Sequence, residues 1–376
     1  MSTSSTNTKG GNVKLKKIVF GIVAVVAVAV STIVGLTGCG KSGDEGKEVV
    51  KIGAILPLTG KDAESGNGTK AGLEIALREI NANSEIKYAI EYYDTKSEAK
   101  NAPMGYTRLK SVDKINIFFT STSSHSLTLK PLAIKDSSLL ICNSAHIGIT
   151  KDNAKMVFRS MCAATEQAEC IMNYITDSLQ SKKVFVYSYN DESAHDFQKA
   201  LQMGLTNNLL GTCVYEEDLL ALRNISTSHT YLEADCIVVI GSTPAQGLLV
   251  KLIRESGYAG SILAHGAFSV PSIVAAAGNY AQTVDFVDYN FPYNSEQHNE
   301  WDEITLKKYK TAFSGYSYMA YGVFHILNQI HESGVNATYD IGNRLSEAKT
   351  YAISGIKFTT HPDGGITAPL RMNKIQ

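Results

Sequence analysis

The residues best suited to chemistry in this chain are hydroxyl, amide and glycine residues that follow short apolar segments. They occupy residues 57–67, 120–124, 143–150, 188–196, 241–246 and 265–270. Such residues cap helices and direct backbone N–H groups towards anions. Ser123 comes at a predicted helix start, where its hydroxyl and a backbone N–H are placed to bind a carboxylate. Ligand binding and a plain helix cap at Ser123 are both compatible with this pattern.

Three patterns typical of enzymes are incomplete. Gly66 opens a G-x-G-x-x-A sequence about ten residues beyond the nearest predicted strand, whereas a dinucleotide-binding turn follows its strand directly. Ser124 and His125 are neighbours, but neither G-x-S-x-G nor H-E-x-x-H is present. The histidines are scattered without metal-ligand spacing. The sequence therefore predicts no enzyme activity, cofactor or metal, and a surface-anchored hydrolase is the less favoured alternative.

Apolar, β-branched segments alternate with longer amphipathic segments, and this alternation predicts the elements that position the polar loops. The predicted strands are 49–56, 88–93, 115–119, 139–142, 184–187, 236–240 and 261–264. Most are apolar throughout, as in parallel sheets covered on both faces. The pattern predicts an α/β fold, and the number of strands favours two doubly wound parallel sheets in two lobes. Ligands of such folds bind beyond the carboxyl ends of the strands.

The first 48 residues predict export. A basic start with Lys14, Lys16 and Lys17 precedes an apolar stretch and the sequence Leu-Thr-Gly-Cys ending at Cys39. This order is typical of a signal peptide, here residues 1–38, and the cysteine makes it similar to a bacterial lipobox. We therefore expect lipidation of Cys39, a flexible tether over 39–48, and a protein anchored by lipid on the extracytoplasmic face of the cell membrane. A membrane-spanning segment over 18–36, barely long enough, is the alternative.

Charge and cysteine content narrow the possible partners. Residues 39–376 have a net negative charge, because residues 1–38 contain four lysines and no acid. This composition does not favour a nucleic-acid partner. Beyond Cys39 the cysteines are odd in number and form no C-x-x-C pair, so buried free thiols are expected, with pairing of Cys162 and Cys170 left open.

Four segments in order resemble one family. They are residues 51–81, which contain Gly66, Gly72, Ala76, Ile80 and Asn81, residues 120–146, which contain Ser123, Pro131 and Ser144-Ala145-His146, and residues 158–168 and 241–258. From residue 49 onward the chain resembles a type I periplasmic binding protein of the branched-chain amino acid (Leu/Ile/Val-binding) family, in lipoprotein form.

The resemblance implies two α/β lobes joined by three hinge crossings, near 160–164, 288–292 and 351–355. The N-terminal lobe would contain 49–162 plus 290–353, and the C-terminal lobe 163–289 plus 354–376. Family members close on a small solute and deliver it to an ABC permease and its ATPase subunits. A monomeric, lipid-anchored binding protein is therefore expected, with a ligand-sensing lipoprotein that serves a signalling partner as the alternative.

The resemblance also implies a ligand site. The family holds the carboxylate and amine of its ligand at the positions of Ser123, Ser144 and Ala145, and at His146, which replaces a threonine and is either a ligand contact or a rim residue. The other implied site positions are Ser65, Ser193, Gly266 and Tyr318.

Gly266 stands where the family has the acid that pairs with the ligand's ammonium group. A buried ammonium group requires a counter-charge or several acceptors. Asp285 or Asp288 is a candidate for that role, but the alternating sequence around them does not show which one faces the site. A carboxylate-bearing solute with or without an amine fits the sequence.

Overall fold

The computed structural model describes residues 49–152, 155–227 and 231–375, without the side chains of 226 and 227. The predicted signal peptide, the tether and Cys39 lie outside the described residues. No helix in the described ranges combines the length and the apolar character needed to cross a membrane.

Strands and helices alternate along most of the described chain. The strands are β1 (Val49–Leu56), β2 (Lys87–Asp94), β3 (Ile117–Ser121), β4 (Leu139–Asn143), β5 (Val157–Arg159), β6 (Val184–Tyr189), β7 (Leu209–Tyr215), β8 (Cys236–Ile240), β9 (Ser261–Ala264), β10 (Val284–Tyr289), β11 (Lys349–Ile353), β12 (Ile356–Thr360), β13 (Ile366–Thr367) and β14 (Leu370–Lys374). The helices are α1 (Ala63–Asn83), α2 (Ala102–Ser111), α3 (Ser123–Lys135), α4 (Ala164–Asn173), α5 (Glu192–Gly204), α6 (Leu219–Thr227), α7 (Pro244–Glu255), α8 (Pro271–Ala277), α9 (Glu296–Tyr309), α10 (Gly315–Glu332) and α11 (Thr338–Leu345).

The first lobe is built on a five-stranded parallel sheet in the order β2-β1-β3-β4-β5. Strands β3 and β4 are buried along their whole length. One face packs against α1 and α10, and the other against α2 and α3. Helix α1 approaches α10 closely at Gly72, where a Cβ atom would lie 2.0 Å from the carbonyl oxygen of Ser317. Cover on both faces explains why these strands are apolar throughout.

The second lobe is built on a six-stranded sheet in the order β14-β10-β9-β8-β6-β7. Its strands are parallel except for β14, which runs antiparallel to β10. One apolar core contains residues of β6, β8 and β10 and of the helices around them. The predicted fold class, an α/β protein with two doubly wound parallel-sheet lobes, is confirmed.

The chain passes between the two apolar cores three times. The crossings lie near residues 159–164, 287–291 and 368–370, where membership changes from one core to the other. The backbone N–H of Cys162 donates to the hydroxyl of Tyr289 at 2.9 Å, and Sγ of Cys162 contacts the carbonyl oxygen of Ala368 at 3.2 Å. These contacts join all three crossings into one hinge. Cys162 and Cys170 are both free, so they do not pair.

The structure contradicts the predicted third crossing at 351–355 and the lobe boundary at 353/354. Strands β11 and β12 form a hairpin, and its turn at Ser354 and Gly355 has positive φ values of 48° and 76°. Tyr351, Ile353 and Phe358 pack in the core of the first lobe. The whole hairpin therefore belongs to the first lobe, because its apolar face is buried there.

Candidate functional site

A cleft of ≈ 590 Å³ lies between the carboxyl ends of the two sheets. Small-molecule sites commonly have volumes of about 300–1,000 Å³. All six polar segments singled out in the sequence contribute to its lining. The cleft is therefore at the position where ligands of open parallel sheets bind.

Ser123 and Ser144 form a pair of hydroxyl groups in the cleft, with their oxygen atoms 3.0 Å apart. Both residues are buried. Ser123 is also the first residue of α3. Helix α3 begins two residues after the end of β3, and Ser144 directly follows the end of β4, so two adjacent parallel strands bring the hydroxyls together.

The first turn of α3 has no side-chain cap. Thr122 occupies the N-cap position with a φ of 66°, and its side chain makes no capping hydrogen bond. Its hydroxyl instead lies 2.5 Å from Nδ1 of His125. A positive φ is unusual for a β-branched residue, and such outliers concentrate at functional sites. The backbone N–H groups at the start of a helix have no intrahelical acceptor, so this end of α3 is suited to an anion.

His125 has a structural role. Its Nε2 atom lies 2.7 Å from the hydroxyl of Thr95, and Nδ1 contacts Thr122. Burial lowers the pKa of His125 to about 4, so the imidazole is neutral at physiological pH. Both ring nitrogens are engaged by threonine hydroxyls, and neither is paired with Ser124. The arrangement gives no support to a hydrolytic Ser–His pair.

Most of the predicted site residues are brought together in the cleft. The lining includes Ser65, Ser123, Ser144, Ala145, Ser193 and Gly266. His146 lies at the rim instead, with Nδ1 2.5 Å from Oδ2 of Asp196 on α5 of the second lobe. The backbone N–H of Ile147 donates to the same oxygen at 3.0 Å. Of the two roles considered for His146, the structure supports the rim residue.

The resemblance predicts that Tyr318 contacts the ligand, whereas the structure places Tyr318 outside the cleft lining. Its side chain is fully buried in the first lobe, stacked on Phe291 with ring centroids 4.5 Å apart. Its hydroxyl lies 3.0 Å from Nδ1 of His298. Tyr316 lines the cleft in its place. Two residues along a helix differ by about 200° in direction, so the two side chains face opposite sides of α10.

The charged residues of the cleft are mainly acidic. The described lining contains Asp62, Glu64, Asp191, Glu192 and Asp288, with Lys61 as its single lysine or arginine. Burial raises the pKa of Asp62 and that of Asp191 above the ordinary value. Glu64 accepts a hydrogen bond from Ser272 of the second lobe.

Asp288 is the acid that sequence patterns could not place. It is 3% exposed and lines the cleft near the second crossing. Its Oδ1 atom accepts hydrogen bonds from the backbone N–H of Tyr289 at 2.7 Å and from the hydroxyl of Tyr293 at 3.4 Å. Its Oδ2 atom is buried and has no partner. Asp285 is not among the lining residues, and it pairs with Lys374 at 3.3 Å.

Burial raises the pKa of Asp288 to about 7. The neighbouring tyrosines are neutral at this pH, because burial raises the pKa of Tyr289 and that of Tyr293 well above 10. Within the described residues, no group of three His, Cys, Asp or Glu side chains is arranged to hold a metal ion.

Two α/β lobes, three crossings and a cleft between them define a bilobal binding protein. The sequence profile of the family described as periplasmic binding protein matches residues 49–376. The chain belongs to this family, which confirms the resemblance found in the sequence. It is 23% identical over 217 residues to the Leu/Ile/Val-binding protein BraC3 of Rhizobium johnstonii. That match covers 55% of this chain and 58% of the relative, so it spans less than two thirds of the relative's length.

Solved structures share the fold. The branched-chain amino acid transporter substrate-binding protein LivJ of Streptococcus pneumoniae, in complex with isoleucine, superposes with a TM-score of 0.77 at 20% identity, over 88% of this chain and 97% of that one. An ABC transporter solute-binding protein of R. palustris, in complex with benzoate, gives a TM-score of 0.75 at 15% identity, over 88% and 94%. At these identities the likeness concerns the fold.

Proposed function

We propose that this protein is the solute-binding protein of an ABC uptake transporter and captures a small carboxylate-bearing solute by closure of its two lobes. The observation that carries the proposal is the uncapped start of α3 beside the hydroxyls of Ser123 and Ser144, in a cleft between hinged lobes. The protein contributes recognition and movement, and it performs no chemistry on the solute.

The solute's carboxylate binds at the start of α3. The hydroxyls of Ser123 and Ser144 and the first backbone N–H groups of the helix donate to it. The helix dipole adds a favourable interaction of about 0.3–1 kcal/mol, and more where the site is partly buried. Charge-assisted hydrogen bonds are roughly twice as strong as neutral ones, so this anchor supplies much of the affinity.

Closure of the lobes completes the site. His146 of the first lobe contacts Asp196 of the second, and Glu64 of the first contacts Ser272 of the second. Both pairs lie at the border of the cleft, where they form only when the lobes approach. A solute that contacts both lobes shifts the population towards the closed form, because its contacts are complete only there.

Lipidation of Cys39 holds the binding protein at the outer face of the membrane, close to its permease. The Leu-Thr-Gly-Cys sequence supports this part of the proposal, and residues 39–48 then serve as a tether. The protein works as a monomer with separate permease and ATPase subunits. We propose lobe limits of 49–162 with 290–368 and 163–289 with 369–376, which revise the sequence-based division.

A panel of solutes tests the function. The panel contains neutral, acidic and basic amino acids, aromatic acids and diamines, and each is scored by the shift in the protein's melting temperature. A ligand at a hundred times its dissociation constant stabilises the folded state by about 2.7 kcal/mol, which is easily detected. We expect at least one carboxylate-bearing solute to bind to wild type and to bind more weakly to Ser123→Ala. Failure of every solute in the panel contradicts the proposed function.

A further inference from the structure

We propose that the cleft selects a cationic solute and that Asp288 binds its ammonium group. The inference rests on the proposed solute-binding function and adds the chemical class of the solute. Its basis is a buried acid with an unpartnered oxygen in a cleft whose other charges are mainly negative.

Asp288 has one carboxylate oxygen that the protein leaves unsatisfied. Oδ1 is engaged by Tyr289 and Tyr293, while Oδ2 of this cleft-lining residue is buried and has no hydrogen-bond partner. An unpaired buried carboxylate is unfavourable, and a donor with a positive charge relieves it best. An alkylammonium group supplies both the donor and the charge. A solute without an amine leaves Oδ2 unpaired.

The other acidic and aromatic residues of the cleft lining also favour a cationic solute. Four further acids line the cleft, against a single lysine, and burial raises the pKa of Asp62 and that of Asp191. Acids with raised pKa values are destabilised in their charged form, and a nearby cation removes that destabilisation. Tyr189 and Tyr316 also line the cleft, and aromatic rings attract ammonium groups.

These features together favour a compact basic amino acid. Its carboxylate occupies the start of α3, one ammonium group pairs with Asp288, and its second positive group lies among the remaining acids. An aromatic acid such as benzoate satisfies the first of these contacts and none of the others. A neutral amino acid satisfies two of them. We therefore expect the order of affinity to be L-lysine, then L-leucine, then 4-methylpentanoate, which is leucine without its amine.

Calorimetric titration of these three ligands and of benzoate into the full-length protein tests the order. Asp288→Asn keeps the shape of the side chain and removes its charge. It should weaken lysine binding by at least tenfold and leave 4-methylpentanoate unchanged or bound more tightly, because a close charge pair is lost only in the first case. Asp285→Asn is the matched control, since Asp285 lies on the same strand and outside the cleft lining.

Proton release gives a second measurement, and its main result is obtained with wild type alone. The pKa of Asp288 is about 7 in the free protein, so binding of a cation at pH 6.5 releases a proton from it. Tyr293, which donates to Oδ1 of Asp288, stays protonated at this pH because burial raises its pKa, and Arg371 supplies a nearby positive charge. The apparent enthalpy of lysine binding should therefore depend on the ionisation enthalpy of the buffer in wild type, and much less in Asp288→Asn.

The outcomes separate this inference from the proposed function. Binding of 4-methylpentanoate, benzoate or L-leucine as tightly as L-lysine overturns the inference and leaves the solute-binding function standing. An unchanged lysine affinity in Asp288→Asn also overturns it. Failure of all panel members to bind contradicts the function itself, and the inference with it.

Discussion

The imidazole Nδ1 of His146 lies 2.5 Å from the carboxylate Oδ2 of Asp196, and this contact joins a loop of the first lobe to helix α5 of the second. The same oxygen accepts the backbone N–H of Ile147. Two donors of one lobe thus converge on one side chain of the other. Under the proposed closure of the lobes, the contact belongs to the closed arrangement and is lost when the lobes separate.

Removing Asp196 should therefore shift the population towards the open form. We expect Asp196→Ala to weaken solute binding by about fivefold, which corresponds to about 1 kcal/mol for a partly exposed pair with good geometry. Lys199→Ala, an exposed position on the same helix, is the control. Small-angle scattering should show that wild type becomes more compact at saturation and that Asp196→Ala needs more solute for the same change. Equal affinities in Asp196→Ala and Lys199→Ala would count against a closing role.

The carboxylate anchor makes a separate prediction. Ser123→Ala should weaken binding by about 1–3 kcal/mol, because a charge-assisted partner is removed from a buried site. Ser123→Asp should bind still more weakly, since two negative charges then meet. Thr128→Ala, one turn further along α3 with its hydroxyl bonded to Ser124, serves as the control. Unchanged affinity in both Ser123 variants would place the carboxylate elsewhere.

The strands could be predicted because each is an apolar, β-branched segment followed by polar loop residues. All seven predicted strands occur, although β3 is Ile117–Ser121 and not 115–119. The resemblance implies a crossing near 351–355, where the structure has the hairpin of β11 and β12. Buried and more exposed residues alternate over most of both strands, and Ser354-Gly355 lies between them. This pattern is typical of a β-hairpin.

The cleft could be located from sequence, but the role of single residues within it could not. Ser123 and Ser144 follow adjacent parallel strands, so their meeting follows from the topology. The alternation in β10 could not separate Asp285 from Asp288, because that strand pairs on both sides inside the sheet and is buried almost throughout. Whether Tyr316 or Tyr318 faces the cleft depends on the residue at which α10 begins. The sequence does not determine the start of a helix to within one or two residues.

Anchoring can be tested independently of the fold. In Cys39→Ala, we expect loss of labelling by radioactive fatty acid and accumulation of the uncleaved precursor, because the lipidated residue is absent. Cys170→Ala is a matched control, since Cys170 is a free thiol of the second lobe. Fatty-acid labelling that persists in Cys39→Ala, or a mature N-terminus well downstream of Cys39, would contradict the lipoprotein proposal.

The raised pKa of Asp288 predicts how stability depends on pH. Burial raises this pKa from 3.8 to about 7, so the folded state favours the protonated acid. The contribution of Asp288 to the free energy of unfolding is greatest below about pH 4 and is lost as pH rises to 7. Ionisation of the carboxyl group then stabilises the unfolded chain more than the folded protein. Without solute, Asp288→Asn should become progressively more stable than wild type over this range, to a difference on the order of 4 kcal/mol.

Urea unfolding at pH 4.5, 6 and 8 measures this difference, with Asp285→Asn as the control from the same strand. Saturating L-lysine should reverse the loss of wild-type stability with rising pH, because a bound ammonium group favours the ionised carboxylate. The stability of the lysine complex should then rise with pH relative to that of the free protein. A difference between Asp288→Asn and wild type that is the same at all three pH values would show that Asp288 does not titrate near 7. The proton released on binding would then have to come from another group.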